Sequence, residues 1–190
     1  MLADDLAQGK ILVTPRRSPD PHFAHSVIVL ARYNSTGALG LMLQYRSDLT
    51  TRKVLPNITP EAPIFIGGPV DLPVVLALLR TKSAPPGAGN VRARLYLLTS
   101  GIVIGKTLAD DPSASGLRIF LGYAGWGAGQ LESEVRRGGW HIFDYDEGIV
   151  FDDHPDTLWD RLTEKTERRT ARSRTNFTHR YGTISYRASN

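Results

Sequence analysis

Two stretches carry side chains able to hold a metal: Asp20, His22 and His25 in one, Asp152, Asp153 and His154 in the other. Imidazole and carboxylate suit zinc or iron, but a site would exist only if the fold brought the two stretches together. Taken alone, Asp152 to His154 also serve as the acidic approach to a helix opening at Pro155, so no metal is assigned. Gly101-Ile102-Val103-Ile104-Gly105-Lys106-Thr107 looks like the end of a phosphate-binding loop. It has three residues between its glycines where the loop needs four, and those three favour a strand over a loop. Nucleophilic catalysis has little to draw on, because there is no cysteine and no Gly-x-Ser-x-Gly elbow. Glu132 and Glu134 could act as acid and base, but residues two apart on a helix face different ways.

The glycine-rich run Gly122 to Gly129 joins a strand-like segment, Leu117 to Leu121, to a short helix expected over Gln130 to Arg137. Free backbone amides at such a junction could receive an anion. Against this, Glu132 and Glu134 already place negative charge at the helix start, and Trp126 takes up space. The competing reading is that the glycines permit tight packing around Tyr123 and Trp126. Charge is unevenly spread as well. Residues 161–190 hold eight Lys or Arg against Glu164 and Glu167, a net +6, which leaves −2 for residues 1–160 in a chain of net +4. Arg168, Arg169, Arg172 and Arg174 could neutralise phosphates of a nucleic acid in a salt-dependent, sequence-independent way. No helix-turn-helix, zinc finger or RNA-recognition signature accompanies them, and a solvated, partly disordered extension fits the same composition.

The elements that would position these residues follow from pattern. Lys10 to Thr14, Ser26 to Ala31, Ala38 to Leu43, Pro63 to Gly67 and Arg94 to Leu98 read as strands, the second and third joined as a hairpin. Gly101 to Ile104 reads as another strand, as do Ile142 to Tyr145 and Ile149 to Phe151. Residues 47–62 are polar and proline-punctuated, with Leu49 and Val54 marking a frayed helix. Asp71 can cap a helix to about Arg80 that is apolar almost all round and therefore buried. Ser83 to Asn90 is a loop rich in proline and glycine. Pro155 opens a last helix with Leu158, Trp159 and Leu162 facing inward, and the alternation from Tyr181 to Tyr186 would suit a terminal strand.

At 190 residues the chain suits one domain with a substantial core. The absence of cysteine rules out disulfides and thiolate metal sites and fits a reducing cytoplasm. Met1 to Gln8 does not read as a secretory signal, and no apolar stretch approaches a membrane span, so no membrane partner is expected.

Gly122-Tyr123-Ala124-Gly125-Trp126-Gly127-Ala128-Gly129-Gln130-Leu131-Glu132-Ser133-Glu134 resembles the signature block of the YqgE/AlgH family. Four further blocks agree in order: residues 9–15, 26–30, 37–41 and 67–70, with Trp140 and Trp159 completing the pattern over residues 8 to 162. One block departs, since Gln44 stands where the family pattern has Asn and the following proline is gone. The resemblance implies an α+β fold, a mixed, partly antiparallel sheet that includes a small barrel and is flanked by helices. It also implies a regulatory or interaction protein associated with transcription, with no cofactor. A family-like domain over residues 1–163 and a basic extension over 164–190 follow. Two functional readings stand. In one, the surface around Tyr123 and Trp126 meets a protein partner or small ligand, with nucleic acid engaged by the tail. In the other, an enzyme or ligand pocket gathers Thr14, Gln44, Gly67, Gly68 and the run from Gly122 to Gln130.

Overall fold

The computed structural model describes residues 3–18, 20–55, 58, 59 and 61–181, with the backbone alone for 71–73 and 170–181. Among them lie strands β1 (Ile11–Val13), β2 (Val27–Asn34), β3 (Gly37–Met42) and β4 (Arg46–Thr50), then helix α1 (Thr51–Val54). Strands β5 (Pro63–Ile66), β6 (Val70–Arg80), β7 (Gly89–Arg92) and β8 (Leu95–Leu98) precede helix α2 (Gly101–Asp110). Strand β9 (Leu117–Gly127), helix α3 (Gln130–Arg136), strand β10 (His141–Phe143) and helices α4 (Glu147–Val150) and α5 (Leu158–Tyr181) complete the order.

The sheet runs β10-β1-β2-β3-β9-β6-β8-β7, with β4 and β5 off this path. Strand β9 is the hub. Its first half pairs antiparallel with β6, from Leu79 opposite Leu117 to Val75 opposite Leu121, and parallel with β5 on the other edge. Its second half pairs with β3, Gly40 opposite Ala124 and Gly37 opposite Gly127. The change of partner falls at Gly122, whose φ of 72° is one a side-chain-bearing residue rarely adopts. The sheet then curls until its far strands approach β2: the Gln8 amide donates both to the Ala31 carbonyl (3.1 Å) and to the Asn90 carbonyl. Val91 of β7 accordingly shares a core with Ile11 and Val29. The fold is thus α+β around a curled, largely antiparallel half-barrel.

Strand periodicity sorts the side chains into three cores. Ile11, Val13, Val27, Val29, Leu76, Leu78 and Phe120 point into the half-barrel, closed at one end by Ile149, Leu158, Trp159 and Leu162. Their neighbours Leu12, Ile28 and Leu30 point outward beneath α3, where they meet Trp126, Leu131, Val135 and Trp140. Ala77, Leu79 and Ile119 point outward beneath α2, against Ile104 and Leu108. Each fully buried Leu, Ile or Phe contributes roughly 1.5–3 kcal/mol by leaving water.

Burial on both faces explains the largest departure from the sequence reading. The run from Asp71 to Arg80, expected as a buried helix, lies in strand β6. A strand covered on both faces needs apolar residues at every position, which is also what a buried helix needs. The reverse holds at Gly101 to Asp110, expected to begin as a strand and found as α2. There Ile104 and Leu108 are buried at helical spacing while Ile102 is 86% exposed. Of the residues Ile149 to Phe151, expected as a strand, the first two belong to a helical turn, α4, and Phe151 ends it; the Asp146 carboxylate caps its start on the Gly148 amide. Strands β4 and β7 lie where a polar segment and a loop were expected. Helix α5 runs unbroken across the expected boundary at residue 163, so residues 164–181 are helical. The strand expected from Tyr181 to Tyr186 otherwise lies outside the described residues.

Candidate functional site

The seven residues singled out for a ligand or partner fall into three places. Thr14 and Gln44 meet at the end of β1. The Gln44 carbonyl oxygen accepts from the Val27 amide at 3.1 Å and its NH₂ donates to the His25 carbonyl at 2.7 Å. The Thr14 hydroxyl donates to the Ser26 carbonyl and accepts from the Ser26 amide, and Trp159 Nε1 donates to the Thr14 carbonyl at 2.9 Å. Both side chains are buried and spent on holding backbone. Gln44 nevertheless edges a cleft of about 610 Å³ with Arg16, His25, Tyr45 and Trp159. His25 takes a φ of 57° and lays its ring 4.2 Å from that of Trp159. His25 is among the side chains that the sequence offers as possible metal ligands, with no metal assigned; among the described residues no group of three or more His, Cys, Asp or Glu could hold an ion.

Gly67, Gly68 and Tyr123 form the second place, a crossing of backbones. The Gly67 amide donates to the Leu121 carbonyl at 2.8 Å, and its own carbonyl accepts from Met42 at 2.9 Å. A Cβ on Gly67 would overlap the Gly122 carbonyl, and one on Gly68 would overlap the Tyr123 and Ala124 backbone.

Trp126 and Gln130 belong to the third. Strand β9 runs through the expected glycine turn to Gly127 and pairs there with β3. The amide of Gly127 donates to Gln130 Oε1 at 3.1 Å. The organising group is Glu134, whose Oε2 accepts from both Trp126 Nε1 and Trp140 Nε1 at 2.9 Å, while Oε1 accepts from Gln130. Glu132 instead accepts from the Tyr33 hydroxyl at 2.7 Å. Burial, with that carboxylate beside it, pushes the Tyr33 phenol up to about 12. Phe23 stacks on Trp126 and meets Trp140 edge-on, flooring a cleft of about 560 Å³.

The basic residues lie on α5, which at 24 residues is about 36 Å long. Leu158, Trp159, Leu162 and Thr163 bury its first turns, and of residues 164–169 only Thr166 is less than exposed. The acids of this helix are engaged. Arg16 reaches Glu167 at 2.8 Å and Asp160 at 3.7 Å while stacking over Trp159, and Glu164 pairs with Arg168 at 3.2 Å. Arg161 binds Asp152 at 2.8 Å. Burial of Asp152 is outweighed by that bond and by the His154 amide, so its carboxyl titrates below the ordinary range. Lys165 and Arg169 face a groove of about 700 Å³ shared with Lys10, His141 and Asp144. Arg172 and Arg174 are placed by backbone position on the same helix.

His141 in that groove is half-buried. Burial holds its imidazole below the usual 6.5, with Glu167 opposing. A folded value below the unfolded one means a stability contribution that is present above the unfolded value and lost as pH falls through the folded one. Urea midpoints should therefore drop between about pH 7.5 and 5.5, and His141→Gln should flatten that part of the slope. An unchanged slope in the variant would assign the pH dependence elsewhere.

A curled half-barrel carrying α3 and α2 on its outer faces, with tryptophans and close-approach glycines at the crossings, defines an α+β class. Comparison with known proteins gives the family. The AlgH-like family matches residues 11–171, and the chain belongs to it. A UPF0301 protein of Mycobacterium avium is 37% identical over 151 residues, covering 74% of this chain and 73% of that one. One from Ruegeria pomeroyi is 31% identical over 164 residues, covering 80% and 87%. The solution structure of the AlgH protein from Pseudomonas aeruginosa superposes with a TM-score of 0.66 at 28% identity over 94% of each chain. A crystal structure from Corynebacterium diphtheriae, at 24% identity and a TM-score of 0.68, shares the fold over 87% of this chain and 90% of its own. Among the described residues no helix is long and apolar enough to cross a membrane.

Proposed function

We propose that this protein is a regulatory or interaction protein in which the half-barrel is a scaffold and the basic helix α5 grips the phosphate backbone of nucleic acid without reading its sequence. The observation that supports this reading is the spacing of basic residues along α5. Arg161, Lys165, Arg168 and Arg172 recur at i, i+4, i+7 and i+11, one stripe of a helix whose first turns are anchored in the core. Residues 158–181 carry seven Lys or Arg against Asp160, Glu164 and Glu167, a net +4, with Arg161 and Arg168 themselves ion-paired to Asp152 and Glu164. The cysteine-free chain suits the cytoplasm, where such a partner is available. The alternative, an enzyme or ligand pocket gathered from Thr14, Gln44, Gly67, Gly68 and the Gly122 to Gln130 run, has less behind it. Those residues sit at three separate places, with their polar groups spent on one another and on backbone.

The test is fluorescence anisotropy of a labelled duplex titrated with the full chain and with a variant carrying Gln at Arg168, Arg169, Arg172 and Arg174. Glutamine keeps helix propensity while removing charge. The full chain should bind with a Kd of about 1–100 µM at physiological salt, and the variant at least about tenfold more weakly. Equal binding by both would move the contact off α5, and no binding by either would end the nucleic-acid reading.

A further inference from the structure

Arg118 on β9 is 9% exposed, yet it makes no ion pair among the described residues. Its guanidinium lies over the Phe65 ring at 4.5 Å and donates to two carbonyls, that of Asp152 at 2.7 Å and that of Leu43 at 3.4 Å. A guanidinium has five N–H donors in a planar fork, so these contacts leave much of it unspent. The nearest acids, Asp152 and Asp153, act on it from a distance and neither carboxylate bonds it directly. Asp152 turns its carboxylate to Arg161 and to the His154 amide, and Asp153 stands exposed at the rim. Taking a cation out of water without an ionic partner is costly, and an apolar side chain would fill the same space without that cost. Burial accordingly lowers the Arg118 pKa to about 10, with Asp152 and Asp153 opposing, so the group remains charged at neutral pH.

This cation does not face a closed interior. It lines a cleft of about 220 Å³ with a second arginine, Arg46, with Phe65, Phe151 and Pro155 as apolar walls, and with Asp152 and Asp153 also on the lining. Arg46 is exposed and set by the pairing of β4 with β5, which puts it opposite Phe65. With the Asp152 carboxylate taken by Arg161 and Asp153 exposed to solvent, the two cations and the apolar walls suit a small molecule with an anionic head and an apolar body. A planar fork with its Cζ 4.5 Å over an aromatic ring centre favours a carboxylate, which can accept two parallel N–H bonds.

We propose that the Arg118 cleft is a binding site for a small organic carboxylate, whose head group supplies the counter-ion missing from the protein and whose apolar part lies against Phe65 and Phe151. The site is separate from the basic stripe of α5 and does not depend on the nucleic-acid reading.

The experiment titrates the full chain with sodium benzoate, against sodium phosphate and sodium chloride at matched ionic strength. It follows the melting temperature and the side-chain Nε–Hε signals of the arginines. Benzoate should raise the melting temperature saturably and shift the Arg118 signal. Arg118→Lys, which keeps the charge and loses the fork, should weaken benzoate binding at least about tenfold. Arg46→Gln, an exposed change that leaves the fold intact, should weaken it roughly fivefold. Chloride matching benzoate, or benzoate binding unchanged in Arg46→Gln with an unmoved Arg118 signal, would overturn the site. Phosphate binding more tightly than benzoate would overturn the choice of a carboxylate.

Discussion

Replacing Gly68 with alanine should cost roughly 3 kcal/mol and lower the melting temperature by about 10 °C. The reason is where the new methyl would go. It would overlap the backbone of Tyr123 and Ala124, in the stretch where β9 leaves its pairing with β6 and takes up β3. Backbone cannot rotate aside as a side chain can, so the strands must part. Gly68 also holds a φ of 158°, which adds to the strain. Gly129 separates the two causes. Its φ is 73° but nothing lies within 4 Å of an added Cβ, so Gly129→Ala should cost only about 1 kcal/mol, the left-handed penalty alone. Denaturant unfolding of both variants measures the difference. Equal costs would mean that steric crowding at the crossing is not what the glycine relieves.

The second large effect is expected at Glu134. One carboxylate oxygen accepts from two indoles that are only 5% and 4% exposed, so Glu134→Ala strands two buried donors at once. A loss of about 3 kcal/mol follows, together with a shift in tryptophan emission as the Trp126 and Trp140 environments loosen. Glu134→Gln should recover more than half of that, because a single amide oxygen can accept both bonds. If alanine and glutamine behaved alike, the indole bonds would not be what the carboxylate contributes.

These two sites show what the sequence could and could not disclose. The glycine run after Leu121 pointed to close packing around Tyr123 and Trp126, and the structure finds close packing there, at a crossing of strands where a turn was expected. Leu158, Trp159 and Leu162 were legible as a buried helical face because only one side of α5 is covered. Strand β6 was not, since burial on both faces erases the alternation that distinguishes a strand from a helix. Helix α2 was obscured by Ile102, Val103 and Ile104, three β-branched residues in a row whose strand preference is overridden by the packing of Ile104 and Leu108 under the sheet. Glu134 was read as a charge serving the helix dipole. Its partner Trp140 was in plain view, but no spacing rule joins a carboxylate to two indoles from different elements. Arg118 left no signal at all, because it alternates along β9 as a polar residue on a solvent face would.

The family places the chain and the fold, and the proposed function rests on α5. The central claim is tested most directly by the slope of log Kd against log salt for duplex DNA binding by the full chain. Engagement of about four phosphates by the stripe Arg161, Lys165, Arg168 and Arg172 predicts a roughly fourfold-power dependence, falling to about half when Arg168, Arg169, Arg172 and Arg174 are glutamine, because Arg161 and Lys165 remain. A full-chain affinity that barely responds to salt, or a slope unchanged in the variant, would contradict it.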